Sequence, residues 1–306
     1  YKQVTLPFSP ENSMALGDIS KDGCAEIFVS QAGGKGIAMY DCELNKIWQV
    51  SAPQVPGLVS LADFNNDGVV ELYQRSEIRN ALTGAVIVNG TSILGTGEDW
   101  NTNILYGSVA VDLVGDDQLE LVTGRYIYSV NIGSGTLTQI ADLNSALANS
   151  GYTSDNMYWP KKNSSNQWSM ASVADYNLDG NLDVLLSGAL GTSYASQTTV
   201  FFWDVTNNFV DTYGDPSNNH DKGTGRLNIA DIDGDGQLNV NYVSNDILYS
   251  LDENLDVLWT KPIKEASSGF TGCTLFDFDD DGIVETIYRS EDQLLVINGT
   301  DGSTRM

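Results

Sequence analysis

A nine-residue acidic loop recurs six times along this chain of 306 residues. Its pattern is Asp-x-(Asp/Asn/Ser)-x-Asp-Gly-x-x-(Asp/Glu/Asn), and the copies, numbered loop 1 to loop 6, span residues 18–26, 63–71, 112–120, 175–183, 231–239 and 277–285. Their first residues lie 45, 49, 63, 56 and 46 positions apart. A period of about 40–50 residues with β content is typical of a β-propeller.

Each loop has the chemistry of a calcium site. Ca²⁺ takes six to eight oxygen ligands at about 2.3–2.6 Å in flexible geometry. Side chains at positions 1, 3 and 5 of the loop can converge on one ion, and glycine at position 6 allows a turn that a Cβ would hinder. That turn can aim the carbonyl of position 7 at the ion, and the side chain at position 9 completes the set. The alternative is a solvated acidic turn, since Asp, Asn and Gly all favour turns.

Five loops carry a full ligand set, so we predict about five calcium sites. Position 7 would contribute its backbone carbonyl and the other positions their side chains. The predicted ligands are Asp18, Ser20, Asp22, Cys24 and Glu26 in loop 1; Asp63, Asn65, Asp67, Val69 and Glu71 in loop 2; Asp175, Asn177, Asp179, Asn181 and Asp183 in loop 4; Asp231, Asp233, Asp235, Gln237 and Asn239 in loop 5; and Asp277, Asp279, Asp281, Ile283 and Glu285 in loop 6.

The six loops are not equal. Loop 6 offers four carboxylates, and Ser20 is a weaker ligand at position 3 of loop 1. In loop 3, Val114 replaces the oxygen-bearing residue at position 3, and Asp117 replaces the glycine at position 6. We therefore expect loop 3 to keep the fold but to bind metal poorly or not at all.

Each repeat carries four strand-like segments, with the acidic loop between the first two, and Gly and Asn punctuate the segments as hairpins require. We predict an all-β chain, a β-propeller of four-stranded antiparallel blades with six motif-bearing units in one domain, residues 1–306. Residues 2–8 resemble a fourth strand without a blade, and the last repeat ends after its third strand. The two ends could complete a six-bladed ring, or the chain could be part of a seven-bladed one.

On these acidic loops and their period, the chain resembles the FG-GAP/VCBS repeat family, whose calcium-loop propellers also form the head of integrin α chains. The resemblance covers the six loops and so nearly the whole chain, although the Phe-Gly…Gly-Ala-Pro signature is poorly kept. It implies a propeller, commonly of seven blades, with calcium between the first and second strands. Similar units occur in large bacterial surface and adhesion proteins and in some polysaccharide lyases, so the fold is implied more closely than the function.

The charge of the chain limits its partners. It has 41 acidic and 15 basic residues and a formal net charge of −26. Such a chain repels nucleic acid and anionic membranes, which recruit basic patches. No 18-residue apolar run predicts a membrane span. With no visible signal peptide and no initiator Met, we expect a mature or trimmed domain that is secreted or at the cell surface, with flanking domains of the same protein among its partners.

Three cysteines give a weaker signal. Cys24 and Cys42 lie on successive strand segments joined by a turn, where they could form a cross-strand disulfide or remain two buried thiols. Cys273 takes the inward-facing slot that Met14 has in the first repeat, so we predict that it lies in the core.

Four long insertions, at 94–104, 141–170, 189–198 and 211–226, fall in connections that a propeller places on the face opposite the calcium loops. Exposed aromatic rings near Asn and Asp suit sugar faces or protein partners, so we predict a protein or glycan ligand on this face. The rings could instead pack beneath their own loops. The candidate ligand residues are Trp100, Tyr158, Trp159, Trp168 and Tyr194, with Tyr152 and Tyr213 in the same insertions.

Catalysis finds little support in the sequence. The single histidine, His220, lies in a polar loop, and there is no nucleophile-elbow or phosphate-binding glycine motif. A calcium-dependent lyase would need a base, and the insertions offer only Lys161, Lys162 and Arg226. The sequence therefore favours a non-enzymatic, calcium-stabilised extracellular propeller that serves adhesion, interaction or surface assembly. The alternative is a carbohydrate-binding or polysaccharide-lyase-type domain.

Overall fold

A computed structural model describes residues 2–8, 10–31, 36–51, 58–90, 107–152, 171–190, 197–214, 226–244, 246–264 and 272–305. Side chains are described for these residues except 10–12, 188–190 and 197–199. The chain forms two compact units, Tyr1–Ala141 and Asp142–Met306.

The first unit contains three four-stranded antiparallel sheets, each built from four consecutive strands. Sheet 1 comprises β1 (Pro10–Gly17), β2 (Glu26–Gln31), β3 (Ile37–Tyr40) and β4 (Lys46–Val50). Sheet 2 comprises β5 (Val59–Ala62), β6 (Glu71–Gln74), β7 (Glu77–Asn80) and β8 (Val86–Val88). Sheet 3 comprises β9 (Val109–Val111), β10 (Glu120–Val122), β11 (Tyr126–Asn131) and β12 (Thr136–Asp142), whose last residue begins the second unit.

The second unit begins with a short helix, α1 (Leu143–Asn149), and continues with three more sheets. Sheet 4 comprises β13 (Ala171–Ala174), β14 (Asp183–Leu190), β15 (Gln197–Asp204) and β16 (Phe209–Gly214). Sheet 5 comprises β17 (Asn228–Ala230), β18 (Asn239–Ser244), β19 (Ile247–Leu251) and β20 (Val257–Pro262). Sheet 6 has three strands, β21 (Thr274–Phe276), β22 (Glu285–Ser290) and β23 (Gln293–Ile297).

Every sheet is an up-and-down antiparallel meander, which is the blade of a β-propeller. The predicted fold class, an all-β propeller with four-strand repeats, is confirmed. In every sheet the acidic loop joins the first strand to the second; in sheet 2, for example, β5 ends at Ala62 and β6 begins at Glu71. Antiparallel order therefore puts the acidic loops at one end of the strands of each sheet and the turns between second and third strands at the other end.

The core lies between consecutive sheets, which explains why the central strands are apolar on both faces. In the first unit, Phe28 of sheet 1 packs with Leu72 of sheet 2. In the second unit, Leu185 of sheet 4 packs with Val240 of sheet 5. All six residues of β18 are buried. Sheets that are covered on both faces lose the simple alternation of apolar and polar residues.

The last repeat ends after its third strand, as predicted, whereas the N-terminal segment departs from the prediction. The described residues 2–8 form no strand; Leu6 and Phe8 pack instead against apolar side chains of sheet 1. The free edge of sheet 6 is lined by the residues just before the C-terminus. Thr304 forms a bridge with Ile297, and the backbone N–H of Arg305 donates to the carbonyl of Val296 at 2.7 Å.

Helix α1 lies within the insertion that was predicted to be a loop. Asp142 caps its N-terminus by accepting a hydrogen bond from the backbone N–H of Asn144 at 3.1 Å. Leu143, Ala146 and Leu147 are buried, and Ala and Leu favour the helical state. This helix has seven residues, and no helix in the described part of the chain is long and apolar enough to cross a membrane.

The cysteines resolve one open alternative and correct one prediction. Cys24 and Cys42 form a disulfide, with their Cα atoms 5.8 Å apart. Cys273 is 9% exposed and lies in the core between sheets 5 and 6, as predicted. Met14 is 65% exposed, so the predicted inward orientation of Met14 is wrong; Val59, Ser108 and Leu227, which take the same place four residues before their loops, are buried as Cys273 is.

Candidate metal centre

All six acidic loops share one backbone frame. The position-1 carboxylate accepts a hydrogen bond from the N–H of position 6, at 2.7–3.1 Å. The position-5 carboxylate accepts one from the N–H of position 7, at 2.7–3.0 Å. The frame therefore folds the chain around the side chains of positions 1, 3 and 5.

Two left-handed residues close each loop. The predicted glycine turn at position 6 is confirmed, with φ between 81° and 92° in five loops; Asp117 takes the same place in loop 3 with φ 67°. Position 4 is also left-handed in every loop, even where it is Leu178, with φ 57°. The sequence does not signal this second turn at Leu178, because Leu does not favour positive φ, whereas Gly115 and Gly234 take the same position in loops 3 and 5.

The position-9 side chain is buried beneath the loop. Its relative exposure is 0–5% in all six loops. In each loop one of its oxygens accepts a hydrogen bond from the N–H of position 2; in loop 2, for example, the Phe64 N–H donates to Glu71 Oε2 at 3.1 Å. Position 9 therefore supports the backbone as well as being a predicted ligand. This also explains why loop 3, which retains Glu120, has the same frame despite Val114, which is 57% exposed.

Three loops contain a buried acceptor without a hydrogen-bond donor. Among the described residues, Asn65 Oδ1, Asp175 Oδ1 and Asp233 Oδ1 are shielded from solvent and accept no hydrogen bond. The amide of Asn65 donates from Nδ2 to Asp67 Oδ2 at 3.0 Å, which fixes its orientation. Buried acceptors in folded proteins are almost always satisfied, so these oxygens fit a cation in loops 2, 4 and 5.

Carboxylates crowd together in two loops of the described chain. One oxygen from each of Asp231, Asp233 and Asp235 lies within 4.8 Å of the other two in loop 5. The same holds for Asp277, Asp279 and Glu285 in loop 6. Like charges at this separation repel one another unless a cation lies among them. In loop 5, burial, and then the charges of Asp235 and Asp231, raise the pKa of Asp233.

The position-9 carboxylates of loops 2 and 4 are likewise buried without a compensating positive charge, and their pKa values are raised. Burial raises the pKa of Glu71 to about 7; the Phe64 N–H partly offsets this, and the charges of Asp63 and Asp67 add to it. In loop 4, burial likewise raises the pKa of Asp183 to about 7.

Loop 1 is the exception. Burial of Glu26 acts to raise its pKa, but hydrogen bonds from the Ser20 side chain and from the N–H groups of Ile19 and Ser20 outweigh it and hold the pKa below its usual value. Glu26 is therefore stabilised as a carboxylate by the protein itself.

Loop 6 already holds a positive charge supplied by the chain. Arg305 Nη2 lies 2.5 Å from Asp279 Oδ2, and Arg305 Nη1 contacts Glu285 Oε1. Glu285 is fully buried, whereas Arg305 and Asp279 are partly exposed. The guanidinium lies on two of the three clustered carboxylates, so loop 6 as it stands does not fit a calcium ion.

The loops of neighbouring sheets lie side by side within each unit. In the first unit, Lys21 Nζ of loop 1 donates to the carbonyl of Gly68 in loop 2 at 2.7 Å. The N–H of Leu119 in loop 3 donates to the carbonyl of Phe64 in loop 2 at 2.9 Å. In the second unit, the N–H of Val284 in loop 6 donates to the carbonyl of Ile232 in loop 5 at 3.0 Å. Each such bond joins position 2 or 6 of one loop to the adjacent loop.

The predicted ligands therefore divide into groups. Positions 1, 3, 5 and 9 of each intact loop lie in one short, tightly folded segment. The position-7 carbonyls of Cys24, Val69, Asn181, Gln237 and Ile283 remain predicted ligands; the N–H groups of these residues bond to position 5. The Cys24 side chain forms the disulfide, so only the backbone carbonyl of this residue remains a predicted ligand.

The candidate ligand-binding residues that were predicted at the opposite end of the strands fall outside the described residues. These are Trp100, Tyr158, Trp159, Trp168 and Tyr194, and the same holds for Lys161, Lys162 and His220. Tyr152 and Tyr213 are described, and both are half-buried. The Tyr152 hydroxyl lies 3.0 Å from Thr212 Oγ1, and the rings of Tyr213 and Tyr249 are 6.3 Å apart. The Tyr152 side chain therefore contacts strand β16, and the Tyr213 ring contacts strand β19.

No protein-family model and no curated protein sequence matches the chain. Among solved structures, it is similar to the biofilm matrix protein Bap1 of V. cholerae, with 14% identity, a TM-score of 0.59, and coverage of 96% of this chain and 68% of that one. It is also similar to the dihydro-heme d1 dehydrogenase NirN, with 13% identity, a TM-score of 0.50, and coverage of 97% and 56%.

A rhamnogalacturonan lyase of Bacillus licheniformis matches with 16% identity and a TM-score of 0.39; the chain spans half the length of that enzyme. At identities of 13–14%, the similarity to Bap1 and NirN shows a shared fold and no more. The chain is thus a β-propeller-type protein in which an acidic loop joins the first two strands of each sheet.

Proposed function

We propose that this chain is a calcium-stabilised extracellular module of the FG-GAP/VCBS repeat type that serves adhesion, interaction or surface assembly. The observation that carries the calcium part is the set of buried acceptors without donors, Asn65 Oδ1, Asp175 Oδ1 and Asp233 Oδ1, each inside an acidic loop. Burying such oxygens is unfavourable unless a partner satisfies them.

The donor set favours calcium over other metals. The side chains available at positions 1, 3 and 5 are carboxylates, amides and one hydroxyl, and these are hard oxygen donors. No histidine or free thiol belongs to the loops, and those are the donors that zinc and copper prefer. Loops 1, 2, 4 and 5 would hold the ion through these side chains, and the bound ion would supply the positive charge that the carboxylates lack.

Two findings support a location outside the cell. Disulfides persist in oxidising compartments, and the Cys24–Cys42 disulfide ties position 7 of loop 1 to sheet 1. The fold is also similar to that of a protein named for the biofilm matrix. A module held rigid by several ions suits a structural role between cells or at a surface, and the proposal assigns it no catalytic step.

The calcium part is tested by comparing two matched carboxylates. Asp235 of loop 5 and Asp116 of loop 3 both occupy position 5 and both accept the N–H of position 7, at 2.8 Å and 3.0 Å. Asp235→Asn should lower the number of bound calcium ions by one in isothermal titration, whereas Asp116→Asn should leave it unchanged. Equal losses in both variants, or no calcium binding by the wild-type chain, would contradict the proposal.

The adhesion part is tested separately, on residues predicted to lie on the face opposite the acidic loops. Binding of the labelled chain to biofilm-forming cells and to an array of glycans should depend on Trp159 and persist in Asp235→Asn. An exposed ring in a binding site can contribute about 2 kcal/mol, so Trp159→Ala should weaken binding by more than tenfold. Release of unsaturated sugar ends from an acidic polysaccharide would instead show a lyase.

A further inference from the structure

Loop 6 has an unusual neighbour in the residues just before the C-terminus. The guanidinium of Arg305 contacts Asp279 at 2.5 Å and also contacts Glu285, which occupy positions 3 and 9 of the loop. These are two of the three carboxylates that cluster within 4.8 Å of one another in this loop. Arg305 therefore lies where a bound cation would have to be.

The backbone holds Arg305 in this place. Residues 298–303 form a turn in which the N–H of Asn298 donates to the carbonyl of Ser303 at 2.9 Å and the N–H of Gly302 donates to that of Asn298 at 3.0 Å. Beyond the turn, Thr304 bridges to Ile297 and Arg305 bonds to Val296. The chain thus returns along the free edge of sheet 6 and delivers the side chain to the loop.

A guanidinium and a calcium ion cannot use the same oxygens at once. Calcium needs carboxylate oxygens at about 2.3–2.6 Å, whereas the planar guanidinium engages them through N–H donors. Glu285 has one oxygen bonded to the N–H of Phe278 at 3.0 Å and the other in contact with Arg305. Both oxygens of this buried carboxylate are therefore already in use.

We infer that Arg305 is the resident cation of loop 6 and competes with calcium for it. The loop with the most carboxylates is then not the tightest calcium site, because calcium must first displace an internal ion pair. At low calcium the side chain of Arg305 is fastened to loop 6, and at high calcium it is released. The sixth loop responds to calcium over a higher concentration range than loops 2, 4 and 5.

The competition is tested by calcium titration of the full chain; this arm rests on the proposed calcium binding. If the guanidinium occupies the loop nine-tenths of the time, its removal tightens the apparent Kd of that site about tenfold. Arg305→Gln should therefore gain a tighter site. Arg289→Gln is the matched control, since Arg289 is an exposed arginine of the same sheet that bonds to the Glu291 carbonyl at 3.2 Å. An unchanged titration for Arg305→Gln overturns the inference.

A second arm needs no calcium. In excess chelator, Arg305→Gln and Asp279→Asn should each lower the Tm, and the double variant should lose less than the sum of the two, because each single change removes the same pair. Additive losses overturn the pairing. If no variant binds calcium but the cycle is non-additive, the proposed calcium function fails and Arg305 still neutralises loop 6. If Arg305→Gln does not fold, Arg305→Lys keeps the charge and should show a smaller shift in the same direction.

Discussion

The indole N–H of Trp259 donates to the backbone carbonyl of Gly299 at 2.6 Å and ties the last strand of sheet 5 to the turn after β23 of sheet 6. The first unit repeats this contact, since Trp48 of sheet 1 donates to the carbonyl of Ala81 in sheet 2 at 3.1 Å. These two fourth-strand tryptophans thus hydrogen-bond to the neighbouring sheet in addition to packing in the apolar core.

Trp259→Phe tests the contribution of the hydrogen bond between Trp259 and Gly299 to stability. The variant keeps an aromatic ring but leaves a buried carbonyl without its donor, so we expect a loss of about 1–3 kcal/mol in the free energy of unfolding. Trp48→Phe should cost less, because Trp48 is only partly buried. Urea unfolding monitored by circular dichroism measures both. A loss for Trp48→Phe that exceeds that for Trp259→Phe would argue against the hydrogen bond as the cause.

Gly302→Ala should be destabilising by about 1–3 kcal/mol, because the new methyl group overpacks the site. A Cβ on Gly302 would lie 2.8 Å from Trp259 Cε3, and the residue has φ 69°. Gly151→Ala separates strain from clash, since Gly151 has φ 90° but no atom lies within 4 Å of the added Cβ. Thermal melting of the two variants gives the comparison. Equal shifts would mean that backbone strain alone decides, and that the indole contact is unimportant.

Removal of the disulfide should destabilise the first unit. Cys24 and Cys42 are 18 residues apart, and closing a loop of this size stabilises a protein by about 3 kcal/mol in the chain-entropy description. We therefore expect the Cys24→Ser, Cys42→Ser double variant to unfold at lower urea concentration. Cys273→Ser is the control, because Cys273 is a free, buried thiol. A double variant as stable as the wild type would show that the disulfide contributes nothing to folding.

The metal-free protein should lose stability as the pH rises from about 4.5 to about 7. Burial raises the pKa of Glu71 to about 7, so the folded state holds this proton more tightly than the unfolded chain does. The stabilisation is complete below the unfolded pKa and is lost as pH rises through the folded pKa. Allowing for solvent screening, its size is on the order of 1 kcal/mol.

Glu26 provides the opposite sign in the same experiment. Burial raises its pKa, but the hydrogen bonds from Ser20 and the backbone outweigh this, so the net pKa is lowered. Its stabilisation is present above the unfolded pKa and is lost as pH falls. In chelator, Glu71→Gln should flatten the loss of Tm toward pH 7, and Glu26→Gln should not. With excess calcium the loss of stability near neutrality that Glu71 causes should disappear, because the calcium-bound folded state no longer holds this proton.

The repeat made the fold predictable from sequence. The nine-residue loop carries its own turn residues, and Gly and Asn separate the strand-like segments around it clearly enough that the strands of each sheet could be placed. Local chemistry also identified Gly68 and its counterparts, because position 6 is a glycine, which readily takes positive φ, in five of the six loops. The left-handed turn at Leu178 had no such signal, because Leu does not favour positive φ.

What was missed depends on contacts between distant residues. Arg305 reaches Asp279 across 26 positions, and no local pattern links them. The burial of Glu71 beneath its loop likewise follows from the sheets packed around it. Residues 2–8 precede the first loop as a fourth-strand segment precedes the second, which predicted a strand, but they form no strand and Leu6 and Phe8 pack against sheet 1. The ends of the chain lie outside the repeats, so the comparison between repeats that located the other strands could not be used there.

The bonds between adjacent loops have a mechanical consequence. Because Leu119 bonds to Phe64, and Val284 to Ile232, the tension in one sheet of a unit is passed to the next through an acidic loop. A loop stiffened by its cation would carry that load, whereas an empty loop would yield first. Under shear, the hydrogen bonds between adjacent loops of a unit would then break before its sheets unfold. The calcium concentration in the surroundings would set the force at which these bonds break.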